Sequence, residues 1–253
     1  QRTVEAMRLL VGTPDHKRPA LTHALFAAYW VDGLDVTRTD VLAKIAKEHD
    51  VDPSTIAATE SKQKLFEQTA EVVSLGAFGV PVMVVGDRMW WGQDRLHFVE
   101  AALKNGARPV DPPAVKTGKT IEFFHDFSSP FSYLASTQIE RIATAHGATI
   151  QWRPILLGAL FRAIGTPNVP LLAMRPARQQ YLAQDLKDWA EWWNVAFSFP
   201  SVFPVRTVLP LRISIAQPKA IQPLYRALWA HNKDIGQPDV VAEILTEAGL
   251  DAV

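Results

Sequence analysis

The chain of 253 residues carries 26 basic and 26 acidic side chains, is 48% hydrophobic and contains no cysteine. The balanced charge gives no reason to expect nucleic acid or an anionic membrane as a partner, and the absence of thiols excludes disulfides, thiolate metal sites and thiol chemistry by the protein itself. No apolar run approaches the roughly 20 residues that a membrane span needs. We therefore expect a soluble, cytoplasmic protein without a metal site.

The N-terminal part of the chain is predicted to be helical up to a short β-rich stretch. Apolar residues at helical spacing indicate helices over Pro19–Val31, Thr39–His49 and Ser61–Ser74. Residues 80–91 then contain two short β-runs joined by Gly86-Asp87, a pair typical of a hairpin turn. A further helix is predicted over Asp94–Lys104.

A proline-rich stretch, Ala107–Lys119, shows no periodicity and is predicted to be a linker. Beyond it, a strand (Thr120–Phe127), a helix (Phe131–His146) and a second strand (Thr149–Pro154) predict a βαβ unit. The rest of the chain is predicted to be helical over these ranges: Pro176–Asn194, Val208–Ala216, Ile221–His231 and Asp239–Ala248.

The end of the chain repeats its beginning. RTVEAMR at Arg2–Arg8 matches RTVLPLR at Arg206–Arg212, and DVLAKIAKEHDVD at Asp40–Asp52 matches DVVAEILTEAGLD at Asp239–Asp251. The simplest interpretation is two incomplete copies of one domain. Residues 1–107 are then the C-terminal part of the first copy, and residues 108–253 are the N-terminal part of the second. A permuted domain, a fragment of a longer tandem protein and a chain with omitted segments all agree with this pattern.

Four sequence blocks carry a family resemblance. They are FHDFSSPFSYLA from Phe124, WRPILLGALFRAIG from Trp152, FPVRT from Phe203 and GVPVMVVGDRMWWGQDRL from Gly79. Together they resemble the 2-hydroxychromene-2-carboxylate isomerases, which are relatives of the kappa-class glutathione transferases and, more distantly, of DsbA. The resemblance implies an α/β fold, thioredoxin-like with a helical insertion domain. It also implies glutathione as cofactor, a small aromatic carboxylate from aromatic catabolism as substrate, and a homodimer or an intrachain pseudo-dimer.

The turn between the first strand and the helix of the βαβ unit is the predicted reactive position. The unpaired N–H groups and the dipole at a helix N-terminus favour a negative charge there. The resemblance assigns Ser129, immediately before Pro130, as the hydrogen-bond donor to the thiolate of glutathione. The alternative is that Ser128 or Ser129 only caps the helix, and Ser132 is another hydroxyl nearby.

The resemblance assigns the hairpin region to glutathione as well. It implies a cis bond between Val80 and Pro81, whose backbone groups then pair with the cysteinyl part of the tripeptide. It places Asp94 on the γ-glutamyl ammonium, and Gln93 with the helix N-terminus on the γ-glutamyl carboxylate. A helix cap is the alternative role for Asp94.

Two residues of the helical insertion, Asn168 and Arg178, complete the predicted site. Asn168 lies near the position of a family asparagine, with a small offset. Arg178 stands where relatives carry a cation that meets the glycyl carboxylate or a substrate carboxylate, and a solvated helix charge is the alternative. Arg206 departs from the asparagine that is frequent in the F-P-x-N-T motif of relatives, and Arg2 repeats the departure in the other copy.

We therefore expect a glutathione-dependent isomerase of a 2-hydroxychromene-2-carboxylate-like compound, in which the glutathione thiolate adds to the substrate and leaves again. A kappa-like glutathione transferase and a non-catalytic thioredoxin-fold binding protein are the alternatives. The tryptophans Trp189, Trp192 and Trp193 predict core or dimer packing, with walls of an aromatic pocket as the other option. His125 is expected to be structural, because neighbours in a strand such as Asp126 face opposite ways.

Overall fold

A computed structural model describes residues 3–104 and 115–251 of the chain. The chain forms two compact units, Gln1–Val80 and Pro81–Val253. Most of the predicted linker, and with it the predicted boundary between residues 107 and 108, lies outside the described residues. The division into two incomplete copies therefore stays a prediction. No helix in the described ranges is long and apolar enough to cross a bilayer.

The first unit is helical. Leu9, Leu21 and Leu42 are fully buried and contribute to its core. The three predicted helices are confirmed, and the structure adds a first helix that was not predicted. The helices of this unit are α1 (Val4–Gly12), α2 (Arg18–Trp30), α3 (Thr39–Glu48) and α4 (Thr59–Ser74).

The second unit combines two small sheets with helices. Its core includes the fully buried Phe127, Tyr225 and Trp229. In chain order its elements are β1 (Val82–Val85), β2 (Arg88–Trp91), α5 (Leu96–Leu103), β3 (Thr120–His125), α6 (Pro130–His146), β4 (Thr149–Pro154), α7 (Leu157–Ala163), α8 (Pro170–Ala173), α9 (Pro176–Trp193), α10 (Val208–Ala216), α11 (Ile221–Trp229) and α12 (Pro238–Glu247).

The strands pair as the sequence predicts. Strands β1 and β2 form an antiparallel hairpin with Val82 opposite Trp91. Strands β3 and β4 are parallel, as the predicted βαβ unit requires, with Thr120 opposite Thr149. In the described residues the two pairs form separate two-stranded sheets. Both halves of a thioredoxin-like sheet are therefore present in the second unit without being hydrogen-bonded to each other.

Buried ion pairs hold the hairpin region against α9. Asp188 accepts hydrogen bonds from Arg88 Nη2 at 2.7 Å and from Trp90 Nε1 at 2.9 Å. Asp185 accepts two from Arg95, from Nε at 2.7 Å and from Nη2 at 3.0 Å. Both carboxylates are almost fully buried, and a buried charge requires such donors. These contacts give the hairpin a packing partner other than β3 or β4.

The helices follow the sequence repeat. Helices α1 and α10 both have nine residues, and helices α3 and α12 both have ten. Each pair begins at matching positions of the repeat. The buried positions of α3 also match those of α12, as Leu42, Ile45 and Ala46 correspond to Val241, Ile244 and Leu245.

Candidate active site

Asp126 fixes the turn between β3 and α6. Its buried carboxylate accepts hydrogen bonds from the amide N–H and the hydroxyl of Ser128, at 3.0 and 3.1 Å, and from the amide N–H of Leu157 at 2.8 Å. This Asx turn also ties the end of β3 to the start of α7. Because the Ser128 hydroxyl already donates to Asp126, it has no proton left for a ligand.

Ser129 is the N-cap of α6. Its Oγ accepts a hydrogen bond from the amide N–H of Ser132 at 3.2 Å, and Pro130 occupies the first helical position, where a missing N–H costs little. Ser129 therefore caps the helix, but as an acceptor, so its hydroxyl proton can still be donated to a ligand. The amide N–H of Phe131 lies in the same first turn and has no acceptor within the helix.

Ser129 lies on the wall of a cavity of 1260 Å³ in the second unit. This volume is above the range of roughly 300–1,000 Å³ that is typical of small-molecule sites. It is large enough for a tripeptide together with a small aromatic compound. Asn168 lies on the same wall. The larger apolar side chains of the wall include Phe131, Leu156, Phe161, Leu172, Phe199 and Phe203.

The cavity wall is positively charged. Within the described part of the chain, its cationic side chains form no ion pair or hydrogen bond with other residues. The one carboxylate on this described wall is Asp126, which is already engaged by the amide N–H groups of Ser128 and Leu157. The cavity therefore suits an anionic ligand with an apolar body. The four cationic residues are Arg162, Lys187, Arg206 and Arg212.

Three of these four cations were missed in the sequence analysis, which singled out Arg206. The pattern R-T-V-x-x-x-R, present in both copies of the repeat, contains Arg212 as well as Arg206. This recurrence was the available signal for Arg212. Nothing in the local sequence distinguishes Arg162 or Lys187 from solvated helix charges.

The Val80–Pro81 segment differs from the prediction. Among the described residues the cis peptide bond is Phe203–Pro204, so the predicted cis bond between Val80 and Pro81 is wrong. Pro81 leads directly into β1, and its carbonyl accepts a hydrogen bond from the amide N–H of Gly92 at 3.0 Å. The hairpin thus uses this backbone group itself. Val80, the last residue of the first unit, is 83% exposed, and Pro81 is not among the residues that line the Ser129 cavity.

Gln93 and Asp94 lie at the turn after the hairpin. Both are exposed, and neither lines the cavity that contains Ser129. Asp94 forms an ion pair with Arg95 at 2.6 Å and makes no cap hydrogen bond, so its predicted alternative role as a helix cap is wrong. Arg95 turns back to the buried Asp185, and its hydrogen bonds to that carboxylate raise its pKa.

Asn168 and Arg178 have different surroundings. The Oδ1 of Asn168 lies 2.9 Å from the position that a Cβ at residue 158 would occupy, so Gly158 is required for this approach. Arg178 is exposed in the first turn of α9 and is not among the cavity residues. The structure therefore brings Ser129 and Asn168 to one cavity, whereas Pro81, Gln93, Asp94 and Arg178 lie outside it.

His125 is buried beneath the turn. Its Nδ1 is 3.2 Å from the hydroxyl of Tyr225, and its Nε2 is buried with no hydrogen-bond partner among the described residues. Burial lowers the pKa of His125 to about 4, so the ring is neutral at pH 7. The same Tyr225 hydroxyl donates to the carbonyl of Asp126 at 3.2 Å. The Tyr225 hydroxyl thus links the buried His125 ring to the backbone of the turn.

The tryptophans of α9 pack outside the cavity. Trp189 and Trp192 contact His97 and Phe98 at the start of α5, with ring centroids 4.8–5.4 Å apart. Trp193 stacks at a tilt on Trp189, with the centroids 4.6 Å apart. None of the three lines the cavity that contains Ser129.

The described geometry accords with a family assignment. Residues 1–104 and 120–253 match the model of the DSBA-like thioredoxin domain. The chain therefore belongs to the DSBA-like thioredoxin domain family, a class with a thioredoxin-like fold that includes helical segments.

Curated relatives fall into two enzyme classes by name. The chain is 28% identical over 142 residues to glutathione S-transferase kappa 2 of Caenorhabditis elegans, covering 51% of this chain and 62% of that protein. It is 33% identical over 96 residues to the 2-hydroxychromene-2-carboxylate isomerase of Pseudomonas sp. strain C18, covering 36% and 44%. A solved structure of 2-hydroxychromene-2-carboxylate isomerase is similar with a TM-score of 0.43 and 28% identity, covering 53% of this chain and 67% of that one. The chain thus spans about three fifths of the length of the kappa-class relative.

Proposed function

We propose that this chain forms part of a glutathione-dependent isomerase of a 2-hydroxychromene-2-carboxylate-like compound. The observation that carries the proposal is the position of Ser129, a helix cap with a hydroxyl proton to donate, on the wall of a large cationic and apolar cavity. The names of the relatives support the same class of activity.

The residues present fit glutathione. The Ser129 hydroxyl and the Phe131 amide N–H are hydrogen-bond donors at the N-terminus of α6, where a thiolate is stabilised. Arg162 and Lys187 on the wall fit the carboxylates of the tripeptide. Bound glutathione would supply a thiolate that adds reversibly to the substrate, so that covalent catalysis needs no thiol of the protein.

The chain's own residues have three tasks in this proposal. The Ser129 hydroxyl would donate a hydrogen bond to the sulfur of bound glutathione and thereby favour its ionised form. Asp126 keeps the Ser128 hydroxyl engaged and fixes the turn that orients Ser129. The apolar wall around Phe131 and Phe161 binds the aromatic body of the substrate and excludes water from the reacting atoms.

A second copy of the domain completes the proposed glutathione site. Val80, Pro81, Gln93 and Asp94 are exposed, while the Ser129 cavity is built without Pro81, Gln93 and Asp94. We propose that these residues meet Ser129 across a homodimer. There Val80, which precedes Pro81, pairs with the cysteinyl backbone, and Gln93 and Asp94 bind the γ-glutamyl end. In the same proposal Asn168 and Arg178 bind the glycyl end or the substrate carboxylate.

A kappa-like glutathione transferase is the second candidate, because several relatives carry that name. Two assays with glutathione separate the candidates. Isomerisation of 2-hydroxychromene-2-carboxylate, followed by its absorbance, tests the first, and conjugation of an aryl halide tests the second. We expect isomerisation that requires glutathione and consumes none. Loss of free thiol in the aryl halide assay, without isomerisation in the other assay, favours the transferase. Inactivity in both assays favours a binding protein.

A further inference from the structure

The cavity contains more positive charge than the two carboxylates of glutathione need. Arg162, Lys187, Arg206 and Arg212 all line it, and within the described residues none is paired. Three arginines elsewhere in the same unit are neutralised by acids: Arg88 by Asp188, Arg95 by Asp185 and Arg153 by Glu122. Four cations without an acidic partner among the described residues therefore line the cavity where a ligand would bind.

Arg206 is held in place by its neighbours. It precedes Thr207, which is buried at the start of α10, and its backbone carbonyl lies against Gly236. A Cβ at residue 236 would stand 3.3 Å from the Arg206 carbonyl oxygen and 3.4 Å from its Cβ, so this contact depends on glycine. The base of the Arg206 side chain is thus fixed at the cavity wall, although its guanidinium remains exposed.

The sequence keeps both arginines together. The pattern R-T-V-x-x-x-R contains Arg206 and Arg212 in the second copy, and Arg2 and Arg8 in the first. Arg2 lies outside the described residues. The intervening residues of the two copies differ, as EAM stands where LPL stands in the other. The two charges are thus kept amid this divergence, and both lie on the cavity wall in the second copy.

We propose that Arg206 and Arg212 bind a second acidic group of the substrate, so that the substrate is an aromatic dianion such as a dicarboxylate. The inference rests on the proposed function for the location of the reaction, and adds the substrate class. Guanidinium groups bind carboxylates through charge-assisted, frequently bidentate hydrogen bonds. The apolar side chains Phe199 and Phe203 line the same cavity and suit the aromatic ring.

Matched acids test the proposal. Titration calorimetry at low ionic strength compares isophthalate, which has two carboxylates, with benzoate, which has one, on the parent chain and on Arg206→Gln and Arg212→Gln. Arg226→Gln is the control, because Arg226 is exposed in the same unit and outside the cavity. We expect the parent to bind isophthalate about tenfold or more tightly than benzoate. Each cavity variant should lose most of this preference, and the control should keep it.

Three results would overturn the proposal: equal affinity of the parent for the two acids, equal weakening of both acids in the cavity variants, or no binding of either acid. Displacement of isophthalate by glutathione would also overturn it, since the arginines would then serve the carboxylates of the tripeptide. A failed proposed function has a different signature. Glutathione-dependent turnover is then absent while the preference for isophthalate persists.

Discussion

The Oγ of Ser129 accepts a hydrogen bond from the amide N–H of Ser132 over 3.2 Å, which closes the first turn of α6. The bond occupies a lone pair of the hydroxyl oxygen and leaves its proton free. One side chain can therefore cap the helix and donate to a ligand anion at the same time. The two roles respond differently to substitution, which allows them to be separated.

Two substitutions at Ser129 distinguish capping from thiolate binding. Ser129→Ala removes the cap and should cost about 1 kcal/mol in the free energy of unfolding, whereas Ser129→Asp keeps a cap and should cost little. Both should reduce glutathione-dependent turnover, by about tenfold or more, because neither donates a proton to the sulfur. Urea unfolding and steady-state kinetics measure the two effects. Full activity of the aspartate variant would show that Ser129 acts only as a cap.

His125 should make stability depend on pH. Burial lowers its pKa to about 4, below the value near 6.5 of the unfolded chain, so the unfolded state binds more protons between these values. Its contribution is fully present above pH 6.5 and is lost as the pH falls towards 4, by up to about 3 kcal/mol. Urea unfolding across this range measures the loss.

The substitution His125→Phe should flatten that dependence, because it removes the titrating ring and keeps an aromatic side chain among Phe123, Phe127 and Trp152. The control is His231→Gln, which removes an exposed histidine of the same unit and leaves the buried ring in place. An unchanged slope in His125→Phe would assign the acid sensitivity to other groups.

The hairpin should loosen from α9 when Asp188 is changed. Asp188→Ala leaves the buried Trp90 Nε1 without an acceptor and should cost about 2–4 kcal/mol. Asp188→Asn keeps an acceptor oxygen and should cost less. Hydrogen exchange of the β1 and β2 amides measures the release, with the exposed Gln180→Ala on the same helix as control. Equal protection of the hairpin in the parent and in Asp188→Ala would contradict this account.

Assembly across copies can be tested by cross-linking, because the chain contains no cysteine. Preparations of Ser129→Cys and Pro81→Cys are mixed and oxidised, and the proposal predicts a disulfide between the two kinds of chain. The matched control replaces Pro81→Cys with Ser74→Cys, an exposed position at the end of α4. Equal cross-linking in the control, or none in either mixture, would contradict the proposed contact.

Local sequence patterns predicted the helices and strands of this chain better than they predicted how these elements pack together. The hairpin at Gly86-Asp87 and the βαβ unit follow from short-range periodicity and turn chemistry, and both are present. The contact of Arg88 and Trp90 with Asp188 joins residues about 100 positions apart, and no local pattern reports it.

The candidate site shows the same contrast. Ser129 could be placed at a helix N-terminus from its sequence neighbours, because Ser-Pro is a local cap signal. The cationic wall could not be predicted from local sequence. Arg162, Lys187 and Arg212 come from separate segments and line one cavity only in the folded unit. The alternative role of Asp94 as a helix cap is wrong, because its carboxylate is engaged by the adjacent Arg95.

The pKa of the glutathione thiol in the bound state tests the central claim most directly. It is measured from the ultraviolet absorbance of the thiolate as a function of pH, in the parent and in Ser129→Ala, each saturated with glutathione. Loss of a hydrogen bond to the charged sulfur, about 1.5–3 kcal/mol, should raise the pKa of the bound thiol by about 1–2 units in the variant. An identical thiol pKa in the two proteins would show that Ser129 does not hold the sulfur.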